Sequence, residues 1–212
     1  MKKISVIILG FLVLTSSCST TKFVHTWKNP EITSFKPEKL LVVGMTNKFA
    51  ARKIFEEELQ KEFSARNINT TKGATIINQT FTNSKKNEEE IDNMIKKVSD
   101  NGFDTILITA LKGIDERQNY AMNYDRNDYD TDGFKQYYSR SQDIYHNSTY
   151  YDTYKVYRVE TSIYKINESE NKSLIWVGSL ELVNPKTITT TVKGHVVSII
   201  KQLEREGLIK KL

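Results

Sequence analysis

The sequence predicts a single α/β domain on one mixed, mostly parallel sheet. Three observations lead there. Two short apolar runs, KLLVVGM at 39–45 and DTILITAL at 104–111, read as strands buried on both faces. Between them lie two segments whose apolar residues recur at helical spacing. Beyond them, 153–183 alternates at every second residue, as an antiparallel hairpin does. The expected order is β-α-β-α-β, then the hairpin, then a C-terminal helix.

Each element has its own local reason. Thr46-Asn47 offers a cap for a helix over 48–66, where Ala51, Phe55, Leu59 and Phe63 form one stripe and Glu56, Glu57 and Glu58 belong mainly to the wet face. Asn67 is a left-handed stop, and 68–72 reads as a second strand. Asn87 caps a helix whose first turn holds Glu88, Glu89 and Glu90, favourable beside the positive helix end. Ile91, Met94, Ile95 and Val98 are its buried face, and Gly102 ends it. In the hairpin, Tyr157, Val159, Thr161 and Ile163 share one face, opposite Leu174, Trp176, Leu180 and Leu182. Asn184-Pro185 starts the last helix, with Ile188, Val192, Val196, Ile199 and Leu203 as its stripe and Gly207 as its end.

The amino end carries a different signal. Lys2 and Lys3 precede an apolar stretch from Ile4 to Leu14, then small residues, then Cys18, the sole cysteine. Positive head, apolar core and small residues mark an export signal. The core is too short for a mature span, which needs ~20 apolar residues. Residues 12–18 resemble a bacterial lipobox. That resemblance implies diacylglycerol on the Cys18 thiol, cleavage before it, and acylation of the new amino group with palmitate-type chains. Ser19 follows, and the sorting rules of such lipoproteins then imply the outer membrane, facing the periplasm. The expected division is 1–17 signal peptide, 18–37 lipidated tether with Trp27 docking on the domain, and 38–212 the domain itself.

Composition narrows the function. The chain has 212 residues and a formal charge of +5. This basic excess is too weak to argue for nucleic acid. With Cys18 acylated, no thiol remains for a disulfide, for catalysis or for a metal. Ten of the eleven tyrosines lie between Tyr120 and Tyr157. Residues 118–151 therefore read as a long Tyr- and Asp-rich surface loop.

The chain also resembles an uncharacterised family of bacterial envelope lipoproteins. The matching pieces are Trp27-Lys28-Asn29-Pro30, the strand KLLVVGM, Arg52 with Phe55-Glu56, the run from Gly102 to Ile108, Leu174-Ile175-Trp176, and Gly207-Leu208-Ile209. Its domain is similar to the amino-terminal module of TolB and related assembly lipoproteins. The resemblance implies a binding or assembly role and brings no catalytic residues.

Two loop features are candidate sites. Asp128, Asp130 and Asp132 with Gly133 supply the D-x-D-x-D-G pattern of a calcium loop, although the twelfth position is Ser139 rather than Glu. Tyr137, Tyr138, Tyr150 and Tyr151 are candidate contacts to a partner protein or glycan, because tyrosine offers a rigid amphipathic ring at low entropic cost. Neither a phosphate loop nor a nucleophile–base motif is present, and His195 reads as a packed helix residue. The expectation is a noncatalytic module at the lipid bilayer. A hydrolase of envelope glycan or lipid and a calcium-stabilised module are the alternatives.

Overall fold

The computed structural model describes residues 21–116, 133–139, 155–166, 173–183 and 187–212. Its strands are β1 (Thr21–Lys28), β2 (Leu40–Met45), β3 (Thr70–Lys72), β4 (Thr105–Glu116), β5 (Lys155–Lys165) and β6 (Leu174–Val183). Its helices are α1 (Phe49–Ser64), the single turn α2 (Gln79–Thr82), α3 (Glu88–Asp100), α4 (134–139) and α5 (Ile188–Arg205). The strands form one sheet in the order β1-β6-β5-β4-β2-β3.

The mixed α/β sheet is as the sequence predicts, with a smaller parallel share. β2 pairs in parallel with β3 and β4, whereas β4-β5, β5-β6 and β6-β1 are antiparallel. A parallel pair needs a crossover, and α1 between β2 and β3 and α3 between β3 and β4 supply it.

Strand alternation divides the core in two. Leu40 and Val42 pack with Phe55, Leu59 and Phe63 of α1 and with Val196, Ile199 and Leu203 of α5. Leu41, Val43 and Met45 pack on the other face with Ile91, Met94 and Val98 of α3. All six β2 residues are buried, which is why that strand reads as a continuous apolar run. β6 runs in the same direction as β2, so α1 and α5 leave the same end of the sheet and lie parallel. The Lys193–Glu58 pair at 3.0 Å and the Arg66–Glu204 pair at 2.6 Å keep that order along both helices.

Several boundaries move. Residues 21–28 are an edge strand rather than a tether, so the domain begins at Thr21. The polar residues of this strand hid it, but Phe23 meets Trp176 edge-on at 6.4 Å and Trp27 packs on the core as expected. The cap of α1 is Lys48, whose side chain makes no capping bond to the helix, while Thr46 Oγ1 accepts from Lys48 N at 3.2 Å. Asn87 forms a full capping box with Glu90. That backbone bond, with Lys86 beside it, holds the Glu90 carboxyl below its usual range. Asn67 (φ 61°), Gly102 (φ 78°) and Gly207 (φ 71°) are left-handed at or just past the helix ends, as expected. Helix α5 is capped by Thr187, whose side chain accepts from Thr190 N, and not by Asn184-Pro185. Leu174 belongs to the α3 face, because the register slips at Ile163/Tyr164 and separates it from Trp176.

Candidate functional site

Glu56, assigned to water from the sequence, is fully buried with Arg52. The two meet at 2.8 Å, one turn apart on α1. Glu56 Oε1 also accepts from Gly44 N at 3.1 Å, and Oε2 accepts from Ala74 N at 2.8 Å. Arg52 donates from Nη1 to Thr82 Oγ1 at 3.2 Å and from Nη2 to the Ile77 carbonyl at 3.0 Å. The pair thus ties α1 to β2, to the turn Gly73–Thr75 and to α2. Every one of these bonds goes to protein, and buried charge persists only under such full pairing. Gly73 is required here: a Cβ would lie 2.9 Å from the Val42 carbonyl and 3.1 Å from Glu56 Oε1.

His195 sits on α5, 4% exposed, against Phe55 with ring centroids 5.6 Å apart. Its Nε2 has no hydrogen-bond partner among the described residues. Burial alone pushes its pKa down to about 4, so the ring is neutral at ordinary pH. It fills the helix–helix seam, in line with the packed role read from the sequence.

On the opposite face α4 acts as an aromatic plug. Tyr137 and Tyr138, expected to be exposed contact residues, are 3% and 1% exposed. Their positions explain the reversal. Phe134, Tyr137 and Tyr138 follow the i, i+3, i+4 spacing of a helix face. Tyr138 meets Phe81 at 5.8 Å and Phe134 at 6.0 Å, and Tyr137 meets Tyr164 at 5.8 Å. The Tyr137 hydroxyl donates to the Glu160 carbonyl at 3.3 Å. The segment 118–151 is therefore pinned to the sheet at its middle and is not surface throughout.

Beside this plug, between α3, α4 and the start of β4, lies a cleft of about 180 Å³. Phe134, Ile106 and Tyr164 supply apolar wall, and Lys135 and Lys165 stand at its sides. Lys135 bonds Asp92 at 2.9 Å and Glu88 at 3.2 Å, which keep it charged and raise its pKa. Its charge is thereby matched from within the protein. Ligand pockets commonly run ~300–1,000 Å³, so this cleft suits a few atoms at most. Asp115 is engaged by Arg158 at 2.5 Å. No group of three acidic, histidine or cysteine side chains suited to a metal occurs among the described residues.

Cys18, the calcium candidates Asp128, Asp130 and Asp132, and Tyr150 and Tyr151 lie outside the described residues. No protein-family model and no curated protein matches the sequence. Among solved structures, the PelC dodecamer from Paraburkholderia phytofirmans is similar at a TM-score of 0.43 and 9% identity, covering 85% of this chain and 95% of that one. A point variant of the same protein gives 0.42 and 11%, covering 84% and 96%. Lipoprotein GNA1162 from Neisseria meningitidis gives 0.38 and 12%, covering 80% and 99%. No helix among the described residues is long and apolar enough to cross a membrane.

One signal for the buried pair was present in the sequence. Arg52 and Glu56 fall on the same helical face as Phe55, Leu59 and Phe63, and opposite charges one turn apart inside an apolar stripe point to a sealed ion pair.

Proposed function

We propose that this chain is a lipoprotein held to the outer membrane through acylated Cys18, facing the periplasm, with a noncatalytic binding or assembly role. One observation carries the reading: the run from Met1 to Cys18 has the order of a lipoprotein leader, and the sheet begins at Thr21, three residues on. One acyl chain holds only marginally, at about 0.8 kcal/mol per buried CH₂, and a triacylated Cys18 supplies the several chains that stable anchoring needs.

The noncatalytic part is supported by how the ionisable groups are used. Arg52, Glu56 and His195 are committed to the interior, and Lys135 is neutralised by two carboxylates. Catalysis calls for converging groups with a place for a reacting atom, and the described cleft offers too little room. Envelope proteins or glycans are the expected partners.

Intact-mass analysis of the native protein tests the anchor. The expected product starts at Cys18 and carries lipid mass, and Cys18→Ser releases the protein from the membrane fraction. A wild-type product without lipid ends the proposal. Turnover of envelope glycan or lipid by the purified wild type would end its noncatalytic half.

A further inference from the structure

Three of the five large apolar side chains exposed among the described residues, Val24, Phe49 and Ile188, lie toward the end of the molecule where the chain enters; Val197 and Leu212 lie further along the chain from the start of α5. Thr21 pairs with Leu182, Leu182 with Tyr157, and Tyr157 with Ile114, so the start of β1 shares one row with the far ends of β4 and β6. Both long helices begin at this end. Phe55 of α1 touches His195 of α5. Phe49 and Ile188 lie six and seven residues before that contact, which places them roughly 9 and 10 Å further out along the parallel helices. Both are the first residues of their helices, 54% and 44% exposed. Ile188 belongs to the α5 stripe by sequence, yet the core ends below it. Val24, on the neighbouring edge of β1, is 45% exposed.

The helix starts around Phe49 and Ile188 are uncharged or cationic, while Asp115 and Glu181 at the same end of the sheet are each engaged by Arg158. Neither first turn holds an acidic residue. Lys48 and Lys53 are exposed beside Phe49, and Ile188 is flanked by exposed Thr187, Thr189 and Thr190. An exposed apolar residue set among lysines and hydroxyls suits the boundary between lipid headgroups and acyl chains.

Chain length decides what covers this end. Two residues, Ser19 and Thr20, separate Cys18 from Thr21, and the three steps from one to the other span at most about 11 Å when fully extended. An acylated Cys18 therefore cannot hold the β1 entry further from the bilayer than that. We infer that the Phe49/Ile188 end is a second membrane contact, with both side chains seated in the headgroup layer and the sheet standing away from the bilayer. This inference rests on the reading of Cys18 as lipidated.

The test uses the full-length lipidated protein in vesicles of phosphatidylethanolamine and phosphatidylglycerol. Acylation consumes the Cys18 thiol, so Phe49→Cys, Ile188→Cys or Val197→Cys supplies the sole site for a nitroxide label. Val197 is equally solvent-facing, at 47%, and lies nine residues further along α5. In vesicles, labels at 49 and 188 are expected to gain severalfold in oxygen over nickel-chelate collisions, while the label at 197 stays in water. Co-flotation and intact mass are read on the same samples. Protein that floats with all three labels in water overturns the membrane contact and leaves the anchor standing. Labels at 49 and 188 that are shielded before vesicles are added identify a second copy as the cover, which also overturns it. Unlipidated protein that fails to float removes both readings.

Discussion

On one face of the sheet, α1 and α5 lie parallel over 16 and 18 residues and enclose an ion pair and a histidine. On the other, the 13-residue α3 shares the cover with α4, and the cluster holds three buried phenols, Tyr164 of β5 and two carried in by the tyrosine-rich segment. The first face depends on polar groups being matched. The second depends on aromatic volume being present. The same number of atoms removed from each should therefore fail in different ways, and four measurements probe that contrast.

The largest effect is expected from Arg52→Ala. It leaves Glu56 charged, buried and short of its cation, which costs about 3–5 kcal/mol. Urea unfolding reads this as a large drop in midpoint. Replacing Arg52 and Glu56 together by Met and Leu should recover much of the loss, since no charge then stays unmatched. If the double variant is no better than the single, packing and not charge holds this face.

Tyr138→Ala on the other face should cost about 3 kcal/mol through lost contacts and a cavity, with Tyr138→Phe costing well under half of that. Equal losses for the two would show that the hydroxyl, and not the ring, closes the α3 side.

Acid should separate the faces by a similar amount. His195 binds its proton at about 4 when folded and near 6.5 when unfolded. Between those values the unfolded chain holds more protons, so stability falls as pH drops through that window. The difference corresponds to about 3 kcal/mol, fully lost below the folded value. His195→Phe should flatten this slope between pH 6.5 and 4, whereas Tyr138→Phe should leave it unchanged. Parallel slopes for wild type and His195→Phe would remove the histidine from the account.

The smallest effect is Asn87→Ala. It opens the capping box of α3 at a cost of about 1 kcal/mol, seen as earlier amide exchange in the first turn of that helix. Uniform loss of protection along both faces would contradict the local reading.

Legibility in the sequence followed the same division. α1, α3 and α5 were readable because their apolar residues repeat at one period and each end has a stop: Asn67, Gly102 or Gly207. Glu56 was misplaced because its partners Gly44, Ala74 and, through Arg52, Thr82 come from three other elements. No local window contains them. α4 was missed for another reason: Phe134, Tyr137 and Tyr138 have helical spacing, but the many tyrosines around them drown the period. β1 was hidden because this edge strand carries few apolar residues: Phe23 packs on the α1/α5 core and Trp27 on the α3 core, with a register shift between Phe23 and His25 that breaks the alternation. The lipobox resemblance rests on local order alone.

The place of β1 bears on when the protein can fold. Among the described residues its neighbour in the sheet is β6, near the far end of the chain. On the export route proposed above, a polypeptide threaded amino end first across the inner membrane would deliver β1 early and β6 late. Until β6 had crossed, β1 would have no edge to join among the described strands, so the sheet would close only once export was almost complete. Such a high contact order slows folding, and on that route the delay would keep the chain loose during its passage.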